Sequence, residues 1–257
     1  MSTAAGFNCR PRRFSRSFNC RPSRLARASA AALAFVAAFA AHAGSFTANP
    51  VRLTLPSGSN STSLTLDNTG DQPVLVQAEL MAWSQQDGNE VLTPSQDLVV
   101  SPPIFKVLPG ARQIVRLGLL RSPTGEREVT YRLFLQEVAQ PPAPGEQGVA
   151  VALRLGLPVF VLPKIRAAPN LSWRARAEEG AIRLTLSNSG NAHVQAVDCK
   201  LYGPDGALYA EQPLAAYVLA GQTRSWLVKS KQAWRGEKLR LTANTSLGEV
   251  TVELSPD

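Results

Sequence analysis

The sequence is poor in the residues that most chemistry needs. It has two histidines in 257 residues, His42 and His193. A zinc or copper site built on imidazole normally uses several. Cys199, the one cysteine beyond residue 43, lies six residues from His193 on a predicted strand, so no metal site is expected. A Ser-His-Asp triad would have to use His193, and no GxSxG motif is present. Neither a GxGxxG after a strand nor a GxxxxGK[ST] occurs, which leaves nucleotide use unsupported. The acids are scattered and form no glycosidase-like dyad. Trp83, Trp173, Trp226 and Trp234 are spread along the chain and predict no aromatic cluster. His193 itself, just after Ser187-Asn188-Ser189-Gly190-Asn191, reads as a solvated turn residue. No catalytic residue and no cofactor is expected.

The excess of positive charge is local. The chain has 27 Lys and Arg against 19 Asp and Glu. Seven of the arginines, from Arg10 to Arg27, fall in the first 28 residues, which hold no acid. An Ala-rich apolar run, Ala30 to Ala41, follows, and then Ala41-His42-Ala43, a small-x-small cleavage site. A positive region, a short apolar region and such a site make a secretory signal peptide over residues 1–43. The apolar run falls short of the roughly 20 residues that a membrane span needs. Without that segment 20 basic residues face 19 acidic ones, near +1, so nucleic acid is not an expected partner. An exported chain left with Cys199 alone cannot form an internal disulfide. Its stability must come from burial, and the remaining length suffices for two medium domains.

Beyond Gly44 nearly everything reads as strand. SFTANPVRLTL alternates, with Val51, Leu53 and Leu55 on one face and Arg52 on the other. STSLTLDN, PVLVQAELMAW, LVVSPPIFKVL, RQIVRLGLL and TYRLFLQEV follow, separated by Gly, Pro, Asn and Asp. This spacing indicates a β-sandwich. Pro163 to Pro169 breaks the pattern as a linker, which predicts domains at 44–165 and 166–257. The second set of strands is LSWRARAE, AIRLTLSN, VQAVDCKLY, a SWLVKS run, LRLTANTS and EVTVEL. IRLTLSNSGNAHVQAVDC echoes SLTLDNTGDQPVLVQAEL: strand, Asn-x-Gly turn, strand.

The most informative stretch is Gly148 to Leu162, GVAVALRLGLPVFVL. Read as one strand, it puts Val149, Val151, Leu153, Leu155, Leu157, Val159 and Val161 on one face. Ala150, Ala152, Arg154, Gly156 and Pro158 on the other do not look like a second core. A typical strand has about five or six residues, so this one is overlong. It follows a Pro-rich loop, Ala139 to Gln147. A strand with surplus apolar side chains and a free edge can be lent to a partner.

These residues resemble a known family, the periplasmic chaperones of the chaperone–usher pathway of pilus assembly. The strongest local likeness is SPPIFKVLPGARQIVRL, Ser101 to Leu117, with a Pro-Pro pair, a basic residue, Pro-Gly and a strand ending in Val-Arg-Leu. EREVTYRLFLQEV resembles the strand before the donor strand, and NPVRLTL the family's first strand. The resemblance implies an all-β fold of two immunoglobulin-like β-sandwich domains arranged around a cleft in a boomerang shape. It implies a periplasmic location and, as partners, a pilin or fimbrial subunit and an outer-membrane usher, with no membrane embedding and no nucleotide. It also implies that Val149, Val151, Leu153 and Leu155 are donated to the groove of an incomplete subunit. Arg52 and Arg154 would anchor the subunit's C-terminal carboxylate. The family's usual lysine position falls on Pro158 here, and the arginine that bridges the domains in better-known members falls on Leu162. The short loop before the strand resembles the type that serves rod-like or simple pili, and the archaic branch is a plausible home for these departures. Two other readings are weighed: a structural or adhesive sandwich such as a pilus subunit, which would be one domain with an N-terminal donor extension, and an enzyme or carbohydrate-binding module, which would need an acidic or aromatic concavity.

Overall fold

The computed structural model describes residues 46–121, 125–138, 151–232 and 234–255. The expected signal peptide, the Pro-rich loop and Val149 lie outside the described residues. Ten strands come first: β1 (Phe46–Asn49), β2 (Leu53–Leu55), β3 (Ser61–Asn68), β4 (Val74–Gln86), β5 (Asn89–Pro94), β6 (Leu98–Ser101), β7 (Ile104–Val107), β8 (Arg112–Leu119), β9 (Val129–Glu137) and β10 (Arg154–Val161). Seven more follow: β11 (Leu171–Glu178), β12 (Ala181–Asn188), β13 (Val194–Tyr202), β14 (Leu208–Val218), β15 (Thr223–Lys229), β16 (Leu239–Thr245) and β17 (Gly248–Leu254). No helix occurs among the described residues.

The first sandwich packs the sheet β1-β3-β8-β6 against the sheet β2-β10-β9-β4-β5, with β7 on the far part of β4. Alternate side chains fill the space between: Leu64 and Leu66 from β3, Val115 and Leu117 from β8, Tyr131, Leu133 and Leu135 from β9, Leu157, Val159 and Val161 from β10. The second packs β11-β12-β15 against β14-β13-β16-β17 around Ile182, Leu184, Leu186, Leu201 and Leu241. Cys199 is buried there, and burial pushes its thiol up to about 11, which keeps it from being a reactive thiolate.

Prolines break two stretches that alternation alone reads as continuous. SFTANPVRLTL is two strands, because Pro50 interrupts it; β1 joins one sheet and β2 the other. Val51 therefore does not share the buried face of Leu53 and Leu55 and is 69% exposed. Likewise Pro102-Pro103 divides LVVSPPIFKVL into β6, which pairs with β8, and β7, which pairs with β4. A proline carries no N–H for the ladder, so the chain changes sheets where it loses a donor. The fourth strand of the second sandwich, β14, was not expected, because Pro213 lies inside it. It is tolerated because β14 is an edge strand, and a register shift opposite Val197 takes up the irregularity.

The sequence echo is a structural repeat. Asn68 ends β3 and Asn188 ends β12, and each is 1% exposed. Asn68 accepts a hydrogen bond from Gly70 N at 3.0 Å and donates to Gln72 O and Val107 O at 2.8 and 3.0 Å. Asn188 accepts from Gly190 N at 3.1 Å and donates to Ala192 O at 2.8 Å and to Val218 O and Leu219 O at 3.2 Å. Each amide ties a turn to the opposite sheet. Gly190 is obligatory for a different reason: a Cβ there would stand 2.4 Å from Ala168 O and Asn170 N. Both are backbone atoms and cannot swing aside, so Gly190→Ala is expected to destabilise the second sandwich by about 2–3 kcal/mol. Urea unfolding measures this; a loss under about 0.5 kcal/mol would show that the 168–170 segment yields freely.

Candidate functional site

The expected long strand is shorter than alternation implies. β10 runs Arg154–Val161, and Val151 to Leu153 precede it without strand pairing. The segment is nevertheless held at Leu153, whose carbonyl accepts from Glu137 N at 2.8 Å and whose amide donates to Glu137 Oε2 at 3.2 Å. Beyond that fixed point Val151 is 69% exposed. Leu153 and Leu155 are half-buried against the rim of the first core, in line with Leu157, Val159 and Val161, which are fully inside. The apolar row thus emerges gradually from the protein's own core into solvent.

The edge of β10 is open over the same region. β9 pairs with all of it, from Arg154↔Gln136 to Val161↔Val129. β2 pairs, in parallel, only with Val159 to Val161. Arg154 to Pro158 therefore have no partner on that side among the described residues. Pro158 sits at the last open position, where a missing N–H costs least. Unpaired backbone groups beside exposed apolar side chains are what an added strand needs.

The opposite face of β10 is not the bare surface its small residues imply. Pro158 and Phe160 are buried there, and Phe160 forms a separate apolar cluster with Trp83 and Leu219. Leu219 comes from the second sandwich, so this cluster is the junction of the two. Trp83 lies 6.1 Å from Phe160 and edge-on to Tyr217 at 5.6 Å. Trp173 and Trp226 also meet, 6.4 Å apart in the second sandwich. Sequence spacing cannot show either grouping, because the partners lie on strands far apart in the chain.

Arg132 and Arg154 share this face of the sheet, and a third arginine precedes β2. Arg52, exposed, stands one step before β2 and is level with Pro158 across the strand pair. Pro158 is opposite Arg132 on β9. Arg52 and Arg132 are therefore in one row, about 10 Å apart at the backbone, two strand spacings. Arg154 stands four residues further along, about 13 Å from that row. Its guanidinium stacks on Phe134 at 4.1 Å and faces Glu79 at 3.9 Å, with both side chains half-exposed. Gly156 leaves room for that Phe134 ring, whose edge is 3.1 Å from where a Cβ would be. Arg132 stacks on Trp83 at 3.8 Å and pairs with Glu90 at 2.9 Å. Sequence reasoning missed Arg132; its place opposite Pro158 was the available signal, once the strand order was known.

His193 is not solvated. Its side chain is 15% exposed, and its ring stacks on Phe160 with centroids 3.5 Å apart and planes 9° from parallel. Its Nδ1 lies 2.8 and 2.9 Å from the two carboxylate oxygens of Glu128, whose side chain is fully buried. Glu128 precedes β9 in the first sandwich; His193 precedes β13 in the second.

Residues 45–166 match the family model described as pili and flagellar-assembly chaperone, PapD N-terminal domain. The chaperone protein FaeE of Escherichia coli is 40% identical over 83 residues, 32% of this chain and 30% of that relative, so the match spans less than a third of the relative's length. Among solved structures, a chain of the CsuC–CsuE chaperone–tip adhesion subunit pre-assembly complex, from the archaic chaperone–usher Csu pili of Acinetobacter baumannii, superposes with a TM-score of 0.63 at 21% identity. The superposition covers 83% of this chain and 99% of that one. A chain of the SafA pilin–SafB chaperone complex of Salmonella enterica gives 0.60 at 16% identity, covering 84% and 98%. These likenesses show the two-sandwich fold across both halves of the chain.

Proposed function

We propose, from the match of residues 45–166 to the model of pili and flagellar-assembly chaperones, that this chain is a periplasmic chaperone that caps pilin subunits by donating a strand. The single observation that carries this reading is the open edge of β10, Arg154 to Pro158, continued by the exposed Val151. An incomplete subunit, an immunoglobulin-like sandwich lacking its last strand, pairs with that edge. Val151, Leu153 and Leu155 then enter its open core, with Val149 upstream as a further donor. Each such side chain is worth roughly 1.5–3 kcal/mol of burial. Because the donors share a face with Leu157, Val159 and Val161, the subunit's core continues the chaperone's own. Release to the outer-membrane usher follows when the next subunit's N-terminal strand replaces the donor. The energy comes from the subunit completing its fold, so the cycle needs no nucleotide. The segment 44–165 acts as the donor domain and 166–257 as its companion.

Register needs a fixed point, because a slip of one residue turns every donor away from the groove. The subunit's terminal carboxylate supplies it by meeting Arg52, which has no competing ion pair among the described residues. For the second cation the row geometry favours Arg132 over Arg154, because a single carboxylate over Pro158 lies between Arg52 and Arg132. A guanidinium fork holds a carboxylate in a set orientation as well as by charge.

Arg52→Ala is expected to leave the fold intact and weaken subunit binding by about 30-fold, the effect of one charge-assisted contact. Arg132→Ala should weaken it comparably, and Arg154→Ala by less than about threefold, as for an exposed pair. Titration of each purified variant with a co-expressed subunit measures this. Undiminished binding by Arg52→Ala would remove the anchor; an Arg154 effect larger than that of Arg132 would return the second contact to Arg154.

A further inference from the structure

The two outer faces of the second sandwich carry their charges differently. On the β14-β13-β16-β17 sheet, Lys200 stands opposite Glu211 and Arg240 opposite Glu253. Unlike charges across a strand pair support a sheet. The β11-β12-β15 sheet buries Trp173, Ala175, Ile182, Leu184, Leu186 and Val228 on its inner face. By parity its outer face takes Arg174 and Arg176 from β11, Arg183 from β12 and Lys229 from β15, all exposed. Arg176 lies directly opposite Arg183, a like-charge pair that costs the sheet stability. Arg174 is level with Thr185 one row away, and Lys229 with Ala181 one row the other way. The four cations thus fall within about 14 Å along the strands and about 10 Å across them.

Among the strand residues of that face the one acid is Glu178, and it is already engaged. Arg183 grips its carboxylate through Nε and through Nη2, the latter 3.0 Å from Oε2. That bond holds the carboxyl below its ordinary value, and the charge of Arg176 adds to the effect. Arg174, Arg176 and Lys229 have no ion-pair partner among the described residues. Asp87, on the β4–β5 turn, reaches the β15 side, where it lines a cleft with Arg183, Thr223 and Ser225. Beyond residue 43 basic and acidic residues nearly balance, so this concentration leaves the rest of that segment slightly acidic. Charged side chains often guard edge strands, but guarding an edge requires neither sign. Here both edge strands and the central strand put the same sign on one face.

The remaining side chains of the face narrow the choice of partner. Hydroxyls lie between the cations: Thr185 Oγ1 is 2.9 Å from Ser225 Oγ, and Thr223 donates to Ser187 Oγ at 2.9 Å. Leu227, level with Arg183, is the one large apolar side chain there, and it is 51% exposed. The centre of a protein interface is rich in aromatic and apolar side chains and depleted of charge. This face is the reverse. A phospholipid headgroup layer matches it: phosphates for the cations and hydroxyls, and a broad hydrated plane for a sheet. We propose that the outer face of β11-β12-β15 docks the protein on a membrane surface of anionic phospholipids, with Arg174, Arg176 and Lys229 meeting the phosphates. Arg183 stays with Glu178 and adds to the field between them. The contact is reversible, because each cation near such a surface contributes only about a fivefold gain. The open edge of β10 belongs to the other sandwich and takes no part in this face. The inference does not rest on the chaperone reading.

The test uses the exported chain from Gly44, so that the seven arginines of the expected signal peptide take no part. Its co-sedimentation with vesicles of phosphatidylcholine and phosphatidylglycerol in equal parts is compared with that on phosphatidylcholine alone. The native chain should prefer the anionic vesicles by about a hundredfold at low salt, and lose most of that preference when salt screens the charges. Arg174→Gln, Arg176→Gln and Lys229→Gln together should bind both vesicles alike, and each alone should cost about fivefold. Lys200→Gln, Lys238→Gln and Arg240→Gln together remove as much charge from the side of the opposite sheet, and should keep the preference within about threefold. Circular dichroism checks the fold of both triple variants; if the first unfolds, its three single changes decide. A native chain without the preference, a first triple variant that keeps it, or a control that loses it equally overturns the proposal. Retention on a polyglutamate resin through the same three cations, without vesicle binding, also overturns it and gives the face to an acidic protein. Binding of a pilin subunit is measured on the same samples. A native chain that binds no subunit but prefers anionic vesicles would sink the chaperone reading and leave the docking face standing.

Discussion

Val151→Asp is expected to abolish capture of a pilin subunit while leaving the free protein folded. The two halves of that result have separate causes. In the free protein Val151 is 69% exposed and lies outside every strand, so a carboxylate there stays in water and costs the fold within about 0.5 kcal/mol. In the complex the same position enters an apolar groove. There the substitution loses the valine's burial and forces a charge out of water, together worth several kcal/mol. A loss of about 4 kcal/mol is roughly a thousandfold in affinity. Val159→Asp is the contrasting variant. Val159 is fully buried in the first core, so that chain should unfold rather than merely fail to bind. Circular dichroism and subunit pull-down on both variants separate the outcomes. If Val151→Asp unfolds the free protein, Val151 belongs to its own core and the donor reading fails; if it binds subunits normally, donation begins downstream of residue 151.

Asn188→Ala is expected to cost the second sandwich a large share of its stability. The amide is 1% exposed, and its Nδ2 lies within bonding distance of three main-chain carbonyls from two different segments. Its Oδ1 accepts from Gly190 N and from Asn170 N, both at 3.1 Å. Alanine fills none of these roles and leaves carbonyls and amides buried without partners. Each orphaned group costs about 1–3 kcal/mol, and some relax toward water, so a loss on the order of 3 kcal/mol is expected. Asn188→Asp should be worse, because it sets a carboxylate against the same three carbonyls. Asn68→Ala should destabilise the first sandwich by a similar mechanism, with two carbonyls instead of three. Urea titration followed by tryptophan fluorescence measures all three. A loss below about 1 kcal/mol for Asn188→Ala would mean that the turn re-forms around a bound water.

The parts of this molecule that were legible in sequence are those governed by near neighbours. Alternation identified β3, β4, β8, β9, β12, β13 and β16, because a strand side chain's face is decided by its parity. The Asn-x-Gly echo announced Asn68 and Asn188, because an Asx turn is made within a few residues. Val151, Leu153 and Leu155 were picked out by the same parity, and their graded emergence from the core accords with it. Three failures of alternation fall at prolines: Pro50 and Pro102 turned single strands into pairs shared between sheets, and Pro213 hid an edge strand.

The all-β class, the two-sandwich division and the apolar row of β10 follow from local pattern and composition. Tertiary structure alone decided that β2 stops short and leaves Arg154 to Pro158 open, that Arg132 shares a row with Arg52, and that His193 lies between Phe160 and Glu128. Those facts depend on which strands become neighbours and how two sandwiches meet. Pairing partners far apart in the chain are chosen by the packing of the whole, and no local pattern encodes them.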